Sequence, residues 1–139
     1  MTDIWKSDTS YSLITWNEFS RLQNLTSLPL IPKGIMTVED PQAAVKAGAK
    51  AIILSNHGGR QLDGAPSSFE VALEIHETDP DLFNQIEVYA DGGVRYGTDV
   101  LKLLALGVKA VGIGRPMVCY LFSISISSTL EKTKRRSKD

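Results

Sequence analysis

The sequence has a single cysteine, Cys119. One thiol excludes an internal disulfide and a cysteine-based metal site. An excess of one charge is also missing. Fifteen Lys and Arg stand against sixteen Asp and Glu, a formal net charge of -1, which gives no electrostatic basis for holding nucleic acid. No stretch approaches the roughly 20 apolar residues of a membrane-spanning helix. The longest candidate, residues 117–126, is short and broken by serines. The first ten residues have no apolar segment of the secretory type, so no signal peptide is expected. The final Ser-Lys-Asp differs from the Ser-Lys-Leu peroxisomal address. No His, Cys and carboxylate group has metal-ligand spacing, so no metal site is expected. Neither a Gly-x-Ser-x-Gly turn nor a Walker phosphate loop occurs.

What remains is a chain of 139 residues, 42% hydrophobic and 22% charged, long enough for a core of its own. Residues 1–12 are polar and lack periodicity, and read as a loose arm. The last nine residues hold five basic and two acidic side chains, leaving ten basic against fourteen acidic elsewhere. Such a basic tail reads as a solvated end.

Between these ends the pattern alternates. Thr15 with Glu18 forms a capping box ahead of a helix through Trp16, Phe19 and Leu22. Leu28-Pro29-Leu30-Ile31 reads as a strand leading to Lys33-Gly34. Thr37 caps a helix through Val38, Ala44 and Val45 that stops at Gly48. Residues 50–54 form an apolar strand, and Ser67 with Glu70 caps the next helix, which carries Phe69, Val71, Leu73 and Ile75. Asp79-Pro80-Asp81 breaks it. Residues 86–90 are a strand, Thr98 precedes a helix rich in leucine, and residues 110–113 are a fourth strand. Short apolar strands alternating with helices predict βαβ units and a parallel sheet covered by helices. Two closures fit: an open doubly wound sheet, or part of a (β/α)8 barrel, since four strands are half of one.

Each strand runs into a polar or glycine-rich turn. These are Lys33-Gly34, Ser55-Asn56-His57-Gly58-Gly59-Arg60, Asp91-Gly92-Gly93-Val94-Arg95 and Gly114-Arg115. In parallel sheets, sites form at the C-terminal strand ends. Arg95 and Arg115 with neighbouring glycines suit a phosphate, because turn N–H groups and a guanidinium fork both favour an anion. Arg115 alone also suits a strand-end ion pair, and Asp91 suits either a sugar hydroxyl or a turn cap. His57 and Arg60 suit a proton acceptor and a carboxylate clamp. On residue type alone that pair is equally compatible with a structural turn. His76 reads as a surface residue.

These turns, with Leu28-Pro29, residues 37–40 and residues 97–102, resemble the FMN-dependent 2-hydroxy-acid dehydrogenase and oxidase family, which includes glycolate oxidase, lactate oxidase and flavocytochrome L-lactate dehydrogenase. The likeness runs over residues 13–120. It implies the C-terminal half of a (β/α)8 barrel and oxidation of a small L-2-hydroxy acid to a 2-oxo acid by FMN. It further implies that Lys33 and Ser55 contact the flavin, that His57 takes a substrate proton, and that Arg60 holds the substrate carboxylate. Asp91, Gly92, Gly93, Val94, Arg95, Gly114 and Arg115 would hold the ribityl phosphate. The family's N-terminal half-barrel and its His-pairing Asp have no counterpart here, so the expected state is weak or absent activity. The alternative is a remnant that binds FMN or phosphate without turnover. Flavin enzymes of the same barrel with isomerase or nucleotide-dehydrogenase chemistry fit less well, because of the His57 and Arg60 turn. Pro32 interrupts the family pattern beside Lys33, and residues 121–139 depart from it. Open half-barrel edges also invite self-association.

Overall fold

The computed structural model describes residues 14–136, with side chains described to residue 125. The arm over residues 1–12 therefore lies outside the described residues. Four parallel strands form one sheet in the order β1-β2-β3-β4. They are β1 (Lys33–Ile35), β2 (Ala51–Leu54), β3 (Glu87–Asp91) and β4 (Ala110–Gly112). The helices are α1 (Trp16–Gln23), α2 (Glu39–Lys46), α3 (Ser68–Thr78), α4 (Leu82–Gln85), α5 (Gly97–Ala105) and α6 (Arg115–Arg136). Sequence order equals sheet order, as in a (β/α)8 barrel and unlike a doubly wound sheet. The barrel is not closed, and β1 and β4 are the sheet's two edges.

Register decides which side chains meet the helices. Ile52 pairs with Val88 and Leu54 with Ala90. All four are buried and join the core with Phe19, Val71, Ile75, Leu82 and Leu103. The alternate residues, Ile53 beside Tyr89 and Ala51 beside Glu87, face the opposite side of the sheet. That side is less evenly covered: Ala51 is buried, Ile53 and Tyr89 are half-buried, and Glu87 is exposed.

The capping boxes expected at Thr15 with Glu18 and at Ser67 with Glu70 are both present. The Ser67 N–H donates to Glu70 Oε2 at 2.7 Å, and this contact, with the Ser67 hydroxyl, lowers the Glu70 pKa. The Thr37 hydroxyl accepts from the Asp40 N–H at 3.3 Å, although the regular helix begins at Glu39.

One expected element shifts, and two helices join those expected. The first strand is residues 33–35 rather than Leu28–Ile31. Leu28 is 73% exposed and Ile31 40% exposed, so that apolar run packs on too little to form a ladder. The Pro32 carbonyl accepts from the Ile53 N–H at 2.9 Å, and regular pairing begins one residue later. One helical turn, α4, occupies the segment between the Pro80 break and β3. The segment beyond β4 is helix from Arg115. Leu101 and Leu104 of α5 are exposed, and Leu103 is the buried residue of that helix.

Candidate functional site

The carboxyl ends of the four strands meet at one end of the sheet. β1 reaches it irregularly. Lys33 pairs with Ile53, but Ile35 already pairs with Leu54, so one extra residue is accommodated in β1. Gly34 absorbs the bulge with φ of +98°, a conformation that side chains with a Cβ disfavour. The bulge aims Lys33 at the β2 and β3 ends. Its Nζ donates to Ser55 Oγ at 2.7 Å and lies 3.2 Å from Asp91 Oδ2. The Ser55 hydroxyl in turn donates to Asp91 Oδ1. Ser55 is 1% exposed and also accepts the His57 N–H at 3.1 Å. Its oxygen therefore takes two donors and gives one proton, which fills its capacity.

His57 is the one non-glycine residue with positive φ among the described residues, at +57°. Such a conformation costs about 1–3 kcal/mol unless its surroundings impose it. The side chain is exposed and has no hydrogen bond or ion pair to a carboxylate among the described residues. Arg60 folds back over the same loop, its Nε donating to the His57 carbonyl at 3.3 Å. Arg115, the first residue of α6, reaches across from β4 and donates through Nη2 to the Gly58 carbonyl.

The β3 turn passes close beneath this loop. A Cβ on Gly92 would lie 2.7 Å from Asn56 Oδ1, and φ there is +90°. Only glycine fits that approach. After the turn, the Asp99 carboxylate accepts the N–H groups of Arg95 and Tyr96, each at 2.9 Å. Those two bonds lower the Asp99 pKa, Arg95 contributing most. They also fix the backbone from which the Arg95 side chain projects.

These turns surround an open pocket of about 740 Å³. Lys33, His57, Arg60, Asp91, Gly92, Gly93, Val94, Arg95, Gly114 and Arg115 all line it. Ser55 does not; it sits buried beneath Lys33 and Asp91. Val94 is 6% exposed and belongs mainly to the core. Four cationic side chains around one opening, with glycine turns between them, favour an anionic ligand. The sequence reading missed Tyr96, Ile113, Pro116 and Cys119 on the rim. It also missed Ser68, buried at the start of α3, whose hydroxyl donates to the Asp91 carbonyl. Cys119 was legible in principle, because it stands one helical turn after Arg115. The contact of Ser68 is not, because it joins residues 23 positions apart.

A family model described as FMN-dependent dehydrogenase matches residues 2–124. The human 2-hydroxyacid oxidase 1 is 52% identical over 105 residues, 76% of this chain and 28% of that protein. Glycolate oxidase 3 of Oryza sativa subsp. indica is 46% identical over 113 residues, 81% of this chain and 29% of that protein. Among solved structures, a flavocytochrome b2 mutant superposes with a TM-score of 0.68 at 46% identity, covering 75% of this chain and 28% of that one. A mandelate oxidase mutant with (S)-mandelic acid gives 0.66 at 48% identity, covering 74% of this chain and 30% of that one. The chain thus spans less than a third of the length of these relatives. The four-stranded parallel sheet is accordingly part of a barrel. Family match, identity and superposition agree with the strand-end turns, and the chain belongs to the FMN-dependent dehydrogenase family.

Proposed function

We propose that this chain supplies the phosphate-holding and carboxylate-holding end of an FMN-dependent 2-hydroxy-acid oxidoreductase, and that alone it binds flavin with weak or no turnover. One observation carries the reading: Lys33, Asp91, Arg95, Arg115, His57 and Arg60, from four strand ends, line a single pocket. The residues suit FMN on three counts. Gly92 and Gly93 have left-handed backbones, at φ of +90° and +77°. A Cβ at Gly93 or Gly114 would meet nothing within 4 Å, so the turns are open to a ligand. Arg95 and Arg115 flank those turns.

In this reading Arg95, Arg115 and the turns Gly92-Gly93-Val94 and Gly114 hold the phosphate. Asp91 binds the polar chain, Lys33 puts its charge beside the ring, and Ser55, expected from the resemblance to contact the flavin, instead lies buried beneath both and holds them in place. FMN, when bound, accepts the two electrons released as a 2-hydroxy acid becomes a 2-oxo acid. The chain's own residues hold the substrate and move its protons. Arg60 clamps the carboxylate in a two-pronged manner. The His57 imidazole takes a substrate proton. Among the described residues no carboxylate bonds to His57, which is the reason for expecting weak turnover, because an adjacent anion is what stabilises the imidazolium that forms.

The test is a titration of the 139-residue chain with FMN, read by flavin fluorescence and then by added L-lactate or glycolate. Saturable binding with little or no substrate-driven bleaching is the expected result. A chain that takes up no FMN contradicts the proposal. The second reading is a non-catalytic flavin or phosphate binder, which the intact arginine turns support; thermal stabilisation by inorganic phosphate as large as that by FMN, without bleaching, favours it. The proposal extends to self-association. β1 and β4 are edge strands in the described sheet, and unpaired edges recruit further strands. Sedimentation of the chain as a monomer at all concentrations removes that extension.

No helix among the described residues is long and apolar enough to cross a membrane.

A further inference from the structure

The turn that carries His57 is held in an unfavourable shape. His57, Gly58 and Gly59 follow one another with φ of +57°, +67° and +72°. Three successive left-handed residues do not persist without restraint. Neither His57 nor Arg60 supplies it: the one described Arg60 side-chain bond returns to its own loop.

Ser55 accepts the His57 N–H and Arg115 donates to the Gly58 carbonyl, and Asn56 closes the turn itself. Its Oδ1 accepts the Gly59 N–H at 3.1 Å, alongside its own carbonyl at 3.0 Å, which closes the turn over His57. Its Nδ2 donates to the Pro66 carbonyl at 3.2 Å, tying together the two ends of the loop just before α3. The same Oδ1 is the atom that a Cβ on Gly92 would strike at 2.7 Å. One amide therefore bonds its own turn and the loop exit, and sits where only a residue without a Cβ leaves room for it at the β3 turn. Asn56 is absent from the pocket wall, so it acts through its neighbours.

We infer that Asn56 is a positioning residue that locks the His57 and Arg60 loop closed beside the Gly92 turn, setting the carboxylate-binding side of the pocket against the phosphate-binding side. The naming of those two sides rests on the proposed function; the lock itself does not. An amide is required because the contact needs an acceptor and a donor on one short side chain. Aspartate at this position keeps the acceptor for Gly59 and loses the donor to Pro66. Alanine loses both.

The test uses the whole chain with Asn56→Ala and Asn56→Asp. Limited trypsin digestion reads the lock directly, because Arg60 is a cleavage site inside the loop, and Lys46 in α2 is an internal control. Loss of one or two neutral hydrogen bonds corresponds to roughly tenfold easier opening. Cleavage at Arg60 is expected to accelerate by about that factor in Asn56→Ala and by less in Asn56→Asp, with Lys46 unchanged. Cleavage at Arg60 at the parental rate in Asn56→Ala overturns the inference. If Asn56→Ala accelerates both sites equally, Asn56→Asp decides: a rise confined to Arg60 supports the lock, and a uniform rise overturns it. On FMN-loaded chain, Asn56→Ala is expected to weaken pyruvate binding about tenfold, read as a flavin absorbance change, while FMN affinity stays within about threefold. A parallel loss of both affinities contradicts a positioning role. If the parent chain takes up no FMN, the functional proposal fails, and the trypsin result still judges Asn56.

Discussion

The two faces of the sheet differ sharply, although the same four strands build both. On the helix side, Ile52, Leu54, Val88 and Ala90 are at most 1% exposed. On the other side, Glu87 is exposed and Tyr89 is half-buried, its hydroxyl donating to the Glu87 carboxylate. That bond is the main reason why the Tyr89 pKa is raised. The period of two along a strand puts neighbours on opposite faces, so adjacent residues sample different environments. The helix-covered face is where this chain gets its cohesion. The pocket lies beyond that core, at the strand ends, lined mainly by turns rather than by either face.

The sharpest way to test that contrast is a pair of neighbours in β2. Ile52→Ala empties a fully buried site and is expected to cost about 2–5 kcal/mol of stability. Ile53→Ala, on the open face, is expected to cost less than half of that, read by urea denaturation of the same chain. Equal costs would mean that the open face is packed after all. Next come the strand-end cations. Arg95→Ala and Arg115→Ala are each expected to weaken FMN binding about tenfold or more, while leaving the urea midpoint nearly unchanged. A large loss of stability in either variant would reassign that arginine to the scaffold. Ser67→Ala removes the hydroxyl half of the α3 capping box, leaving the backbone N–H bond to Glu70, and is expected to cost about 1 kcal/mol, detectable by thermal unfolding.

The smallest effect is a pH dependence. The folded-state pKa values of Glu70 and Asp99 are lowered by the backbone N–H groups they accept. A lowered folded pKa adds stability that is complete above the ordinary carboxylate value of about 4 and is lost as pH falls through the folded value. The thermal midpoint should therefore fall on acidification below about pH 4. Glu70→Gln removes this titrating carboxylate and should make that fall shallower. An identical acid limb in both proteins would remove Glu70 from the account.

Much of the fold was legible because its signals are local. Ser67 with Glu70, and the run Ala51-Ile52-Ile53-Leu54, declare a helix start and a buried strand within a few residues. The four turns were legible for the same reason, since glycine and charge cluster at each. The first strand was misplaced because apolar character alone favoured Leu28–Ile31, whereas the ladder was set by β2 pairing with Pro32 and Lys33. The joining of Lys33, Ser55 and Asp91 was not legible from residues alone. It needs parallel register across three strands and a bulge at Gly34, and the family resemblance supplied only their separate roles. Asn56 was quoted in the turn without a role, because its neighbours Pro66 and Gly92 are distant in sequence.

The most direct test of the central claim is the absorbance of the FMN-loaded chain under anaerobic conditions after L-lactate or glycolate is added. The account predicts that flavin binds and that its visible band is lost slowly or not at all, since His57 has no carboxylate beside it among the described residues. Rapid and complete bleaching would contradict the claim that this chain supplies only one side of the working site, and failure to bind flavin would contradict the claim that it supplies even that.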